Sequence, residues 1–110
     1  MDDGERRELL SLLHSMWTVR AFEEKVSELR FTGQIAGLLH LGIGQEGVAV
    51  GAASALTRDD YTFAGHRAHA HVIARGADLG RLMAELAGRT GGYCRGKGGS
   101  MHLVALAIDK

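Results

Sequence analysis

Apolar residues recur at three- and four-residue steps through the first third of the chain, at Leu9, Leu13, Met16, Val19, Phe22, Val26 and Leu29. That spacing places them on one face of a helix, predicted over 5–31. Asp2, Asp3 and Glu5 suit the positive end of its dipole, and Gly33 can stop it. Glu24 and Glu28 lie among Arg20, Lys25 and Arg30, which reads as a solvated charged side.

Beyond Gly33 the pattern breaks into a glycine-punctuated loop over 32–44 that carries His40. Between Gln45 and Leu56 the chain is apolar nearly all round and rich in small side chains, the pattern of a helix packed closely on every side. Thr57 to Asp60 is a polar turn. Tyr61-Thr62-Phe63 has the aromatic and β-branched content of a short strand. Two more helices are predicted over 66–75 and 78–87, joined at Gly76. Asp78 can cap the second, whose apolar face is Leu79, Leu82, Met83 and Leu86. A second glycine-rich loop covers 88–102, and the tail over 103–110 is apolar until Asp109-Lys110. No repeat is present. One convincing strand is too few for a complete parallel sheet, so the pattern describes a small helical domain or a piece of a larger α/β one. The all-round apolar helix favours the piece.

Composition narrows the function classes. The chain has 110 residues, the size of one domain, with 13 basic and 13 acidic side chains. Zero net charge gives no electrostatic case for nucleic acid or an anionic membrane surface. No apolar run approaches the roughly 20 residues that span a bilayer. A single cysteine, Cys94, and an N-terminus without signal or transit character lead to an expectation of a soluble, cytoplasmic protein. Proline is absent, and 12 of the 16 glycines crowd into 33–51 and 88–99. Each glycine loses more backbone freedom on folding than any other residue, so such crowding suggests two shaped loops.

The chemistry-bearing residues gather on those loops. His66, His69 and His71 fall within six residues, while His40 and His102 sit on the glycine loops. Helical spacing would place His66 and His69 on roughly one face, as a metal site or as part of an acid–base or anion-binding pocket. Arg67, read as lying at a helix start, adds a two-pronged donor for phosphate. Gly91, Gly96 and Lys97 imitate a nucleotide P-loop, but Gly98 stands where Ser or Thr should bind Mg²⁺, and a helix precedes the loop. That match is accidental. Cys94 has no identified base to activate it.

Taken in order, these segments resemble the N-terminal part of the α subunit of thiamine-diphosphate-dependent 2-oxo acid dehydrogenase E1 components, of the pyruvate and acetoin dehydrogenase type. The residues that carry the resemblance are Arg20-Ala21-Phe22-Glu23-Glu24, Gly33-Gln34-Ile35, His40 with Gly44-Gln45-Glu46, Val50-Gly51 and Asp59-Asp60. His66-Arg67-Ala68-His69, Arg75-Gly76, Met83-Ala84-Glu85-Leu86 with Gly88, Thr90-Gly91 and the run Gly96 to His102 continue it.

The resemblance implies an α/β thiamine-diphosphate-binding fold, of which this chain would be a mainly helical portion with about one short strand. It implies a partial E1 α-type domain over 1–110, comprising the helix 5–31, cofactor-site loops and helices over 32–102, and a divergent tail over 103–110. The implied activity is oxidative decarboxylation of a 2-oxo acid, or cleavage of acetoin, with acyl transfer to a lipoyl group. The implied cofactor is thiamine diphosphate with Mg²⁺. The implied partners are an E1 β subunit, in an α2β2 assembly, and a lipoyl-bearing E2 acyltransferase. His40 and His69 match catalytic-site histidines. His66 and Arg67 match a cofactor-binding pair, and Ser100, Met101 and His102 would line the pocket entrance or support the cofactor. The family's downstream Gly-Asp-Gly segment and the Asn beyond it, which bind Mg²⁺ and diphosphate, have no counterpart in these residues. The expectation is therefore a fragment or split subunit, inactive alone. A non-catalytic helical assembly module that keeps the E1 subunit interface is the alternative.

Overall fold

The computed structural model describes residues 1–105; the last five residues of the apolar tail lie outside the described residues. Helix α1 spans Asp3–Phe31. Its start is closed by a capping box in which the Glu5 amide donates to Asp2 Oδ1 at 2.8 Å and the Asp2 amide donates to Glu5 Oε2 at 3.3 Å. At 1.5 Å per residue its 29 residues reach about 44 Å, which accounts for the 46 Å long axis of the molecule. Only its C-terminal half is covered. Val19, Phe22 and Val26 are buried, whereas Leu9, Leu13 and Trp17 stand exposed.

Helix α2 spans Glu46–Ser54, α3 His69–Ala74 and α4 Leu79–Leu86. Helices α1, α2 and α3 pack against one another. The core joins Val19, Phe22 and Val26 to Ala49, Val50, Ala70, Ile73 and Ala74, with Leu82 and Leu86 of α4 and Ile35 of the first loop. Small residues on α2 and α3 let these backbones approach closely. Asp78 caps α4 through the Arg81 amide, 2.9 Å away.

Three predicted elements change. The Tyr61-Thr62-Phe63 strand does not form, and no strand occurs among the described residues. A strand exists through ladder hydrogen bonds to a neighbour. No such neighbour is present among the described residues, and Tyr61 and Phe63 are 85% and 94% exposed. Helix α2 is buried on one face only. Ala49 and Val50 point inward, while Val48 is 68% exposed. Helix α3 begins at His69 rather than residue 66, which leaves His66 and Arg67 in the preceding irregular segment. Arg67 therefore does not sit at a helix N-terminus, and His66 shares no helical face with His69. Among the described residues no helix is long and apolar enough to cross a membrane.

Candidate functional site

The first glycine loop leaves α1 through Gly33 and is pinned by Ile35, which is buried. Its return is held by two carboxylates. The Gly42 amide donates to Glu23 Oε2 at 2.6 Å, and the Gly44 amide donates to Glu46 Oε2 at 2.5 Å. Glu46 Oε1 in turn accepts from Arg20 Nε at 3.1 Å and Nη2 at 2.5 Å. Arg20 therefore leaves the solvated charged side assigned to it and joins α1 to α2, while Lys25 and Glu28 remain an exposed pair. The Arg20 guanidinium is what holds the Glu46 carboxyl below its ordinary range. Burial opposes the shift, and the Gly44 amide adds to it.

This bracing sets the position of His40. The His40 ring meets His66 edge-on, with centroids 4.6 Å apart and planes at 79°. His40 Nδ1 is buried and has no hydrogen-bond partner. Arg67 donates through Nη1 to the Leu41 carbonyl, the residue next to His40. His40, His66 and Arg67 thus converge on one rim from two separate segments.

His69 lies behind this rim, fully buried. Its Nδ1 is 2.7 Å from Glu23 Oε1 and its Nε2 is 2.8 Å from Ser100 Oγ. Both ring nitrogens are engaged, so His69 reaches no open surface. His71 faces elsewhere, into a cleft of about 890 Å³ that is also lined by Tyr61, Phe63, Arg75 and Met101. Arg75 shapes this cleft by donating to the Thr57 carbonyl at 3.1 Å and the Asp60 carbonyl at 2.7 Å. The three closely spaced histidines therefore diverge. Among the described residues no three His, Cys, Asp or Glu side chains converge to hold a metal ion.

The second glycine loop is organised by Glu85, on α4. Oε1 accepts from the amides of Cys94 at 2.6 Å and Gly96 at 2.9 Å. Oε2 accepts from Gly98 at 2.8 Å and Gly99 at 3.0 Å. Burial pushes the Glu85 carboxyl upward, but the four donors together outweigh it and hold the group below its ordinary range. The amides of the P-loop look-alike thus serve a carboxylate within the fold. Between the two loops lies a smaller cavity of about 250 Å³, lined by Leu38, Leu39, Leu86, Ser100, Met101 and His102. Cys94 Sγ lies 3.4 Å from the Val104 amide nitrogen and ties the start of the tail to the loop.

Sequence reasoning missed the three buried glutamates as organisers of these loops. The signal was present. Glu23 falls in the stripe Val19, Phe22, Val26; Glu46 precedes Ala49 and Val50 by three and four residues; Glu85 lies between Leu82 and Leu86. A carboxylate at a core position of a helix needs hydrogen-bond donors, and glycine loops supply amides without crowding.

Residues 14–109 match the model of the dehydrogenase E1 component family. The chain belongs to that family. It is 45% identical over 97 residues to the α subunit of acetoin:2,6-dichlorophenolindophenol oxidoreductase of Bacillus subtilis, covering 88% of this chain and 29% of that protein. It is 48% identical over 103 residues to the pyruvate dehydrogenase E1 component subunit α of Zymomonas mobilis, covering 93% of this chain and 29% of the relative. The corresponding protein of Rhizobium meliloti is 47% identical over 96 residues, covering 87% of this chain and 28% of its own length. The E1 chain described here thus spans under one third of the relatives it matches.

Proposed function

We propose that these residues form the N-terminal part of an E1 α subunit, supplying one rim of a thiamine diphosphate site of an α/β fold. The observation that carries this reading is the convergence of His40, His66 and Arg67, with a buried and unpaired His40 Nδ1 on that rim. An unpaired buried polar atom costs about 1–3 kcal/mol, so Nδ1 is a place where a polar group of cofactor or substrate is gained at a profit in stability. When bound, the cofactor supplies a carbon nucleophile and an electron sink for breaking the bond next to a carbonyl.

The chain's own residues bind, orient and handle protons. Arg67 presents an exposed guanidinium to diphosphate oxygens while its contact to Leu41 keeps it beside His40. His40 holds or moves a proton at Nδ1, with its ring steadied by the edge of His66. Met101 and His102 line the approach from the second loop, and Ser100 supports them from the buried side. With both nitrogens engaged, His69 is assigned a positioning role. The described donors do not fit a Mg²⁺ site, so its ligands are assigned to E1 α sequence outside these residues. The β subunit would complete the cofactor site, and a lipoyl-bearing partner would accept the acyl group. The names of the relatives make pyruvate and acetoin the first substrates to try.

A chimera joining these residues to the remaining α sequence of the Zymomonas mobilis relative, assembled with that enzyme's β subunit, tests the proposal. It should reduce 2,6-dichlorophenolindophenol with pyruvate or acetoin, and His40→Ala should lower kcat about 100-fold or more. An assembled chimera that neither binds thiamine diphosphate nor turns over would overturn the proposal. Calorimetry on the 110-residue chain should show no micromolar affinity for thiamine diphosphate with Mg²⁺; tight binding would overturn the division of the site. The exposed Leu9, Leu13 and Trp17 favour a second reading, a helical assembly module that keeps the E1 interface. That reading predicts β-subunit capture without cofactor binding by the assembled chimera.

A further inference from the structure

The Glu23–His69–Ser100 link touches both glycine loops. Ser100 belongs to the second loop and borders the 250 Å³ cavity beside Met101 and His102. Its hydroxyl lies 2.8 Å from His69 Nε2. His69 Nδ1 lies 2.7 Å from Glu23 Oε1, and Glu23 Oε2 accepts the Gly42 amide at 2.6 Å. Gly42 is two residues from His40 and directly follows Leu41, whose carbonyl holds Arg67. Glu23 and His69 are fully buried and Ser100 is nearly so, which strengthens each of these short hydrogen bonds electrostatically relative to one in water.

We propose that this buried link is a positioning device that fixes the second loop relative to His40, His66 and Arg67. His69 Nδ1 carries the proton and donates it to Glu23, which, as a carboxylate, is an acceptor at both oxygens. Nε2 then accepts the Ser100 hydroxyl proton, so the direction of every hydrogen bond from Ser100 to Glu23 is set by one tautomer. A histidine with its other tautomer would place two acceptors face to face at Glu23. The same three residue types in this order build nucleophile relays elsewhere. In this chain the Gly98 and Gly99 amides beside Ser100 are taken by Glu85 and the Ser100 side chain is nearly buried, so the arrangement positions rather than attacks. The E1 reading supplies what the rim is for; the link itself stands on the geometry alone.

Histidine-selective ¹⁵N NMR on the full 110-residue chain tests the link. The expected result is a single His69 tautomer protonated at Nδ1, with a far-downfield, slowly exchanging N–H proton and a protected Gly42 amide. Ser100→Ala should keep that proton, move the His69 Nε2 resonance, and also shift the His40 and His66 ring signals. Ser100→Thr, which keeps the hydroxyl, should restore them. Mixed His69 tautomers in the wild-type chain would overturn the proposal, as would His40 and His66 signals that ignore Ser100→Ala. If Ser100→Ala does not fold, the wild-type tautomer and the Gly42 exchange rate still decide. The expected NMR pattern together with an inactive assembled chimera would sustain the link and count against the E1 reading.

Discussion

At Gly33, Gly37 and Gly44 in the first glycine loop, φ is positive and nothing lies within 4 Å of where a Cβ would point. In the second loop a Cβ on Gly92 would come within 2.5 Å of Glu85 Cα, and one on Gly98 would collide with the His102 carbonyl. The first loop uses glycine for backbone shape; the second uses it for shape at Gly88, Gly96 and Gly99 and also for space at Gly92, Gly96 and Gly98. The carboxylates differ in the same way. Glu23 and Glu46 each take one amide of the first loop and give their other oxygen to a side chain, whereas Glu85 spends both oxygens on four amides of the second. The first loop is therefore fastened at its return and leaves its tip open, with Leu38 exposed. The second is wrapped around its anchor. Similar composition thus yields one loop with an open tip and one wrapped around a carboxylate.

Glu85→Ala should break this comparison most severely. It leaves four loop amides without their acceptor, and the loss is expected at about 3 kcal/mol or more by urea denaturation, with new proteolytic cleavage inside 92–99. Glu85→Gln should fare little better, because its amide would turn donors toward donors. A loss below about 1 kcal/mol would show that the second loop has another anchor.

The two kinds of glycine can be separated directly. Gly92→Ala should destabilise by about 1–3 kcal/mol through overpacking against Glu85. Gly37→Ala, with open space but a left-handed backbone, should lose about 1 kcal/mol. Thermal melts of both variants would measure the difference, and equal losses would erase the distinction between space and shape.

Acid should act on both loops through Glu46 and Glu85, whose carboxyls lie below their ordinary range in the folded chain. Each binds a proton less readily folded than unfolded. Their contribution is therefore complete above the ordinary carboxylate value of about 4.3 and is lost as pH falls through the lower folded values. Urea midpoints measured from pH 6 downward should be flat at first and then decline, and a Glu46→Gln variant should decline less steeply. The smallest effect is expected far from both loops. Leu13→Ser, on the exposed half of α1, should change stability by no more than about 0.5 kcal/mol in the same assay.

The helices were largely legible because their apolar spacing is local information. The positions of α1 and α4 follow the stripes through Val26 and Leu82, α2 follows the apolar run through Val50, and Asp78 and Gly76 mark the junction before α4 as expected. The candidate site was legible as residue types alone: the sequence singles out His40, His66 and Arg67, and the structure sets His40 edge-on to His66 and Arg67 on the carbonyl of Leu41. Their mutual geometry was not readable, because it depends on where α3 starts, and a six-residue helix gives too little periodicity to fix its first turn. Tyr61-Thr62-Phe63 misled for a related reason. Strand propensity describes a side chain's fit to a pleated surface, and no partner strand supplies that surface among the described residues.

By itself, the sequence determined four helices, two glycine loops, and an ordered set of residues specific enough to point to the E1 family. Those are consequences of local spacing and residue identity along one dimension. Only the tertiary structure decided that Glu23, Glu46 and Glu85 are internal anchors, that His69 is a buried link, and that the amides of the second loop belong to Glu85. Each of those assignments depends on which donor meets which acceptor once water is excluded. That pairing joins residues up to 46 positions apart, between His69 and Glu23, and exists only after the helices have packed.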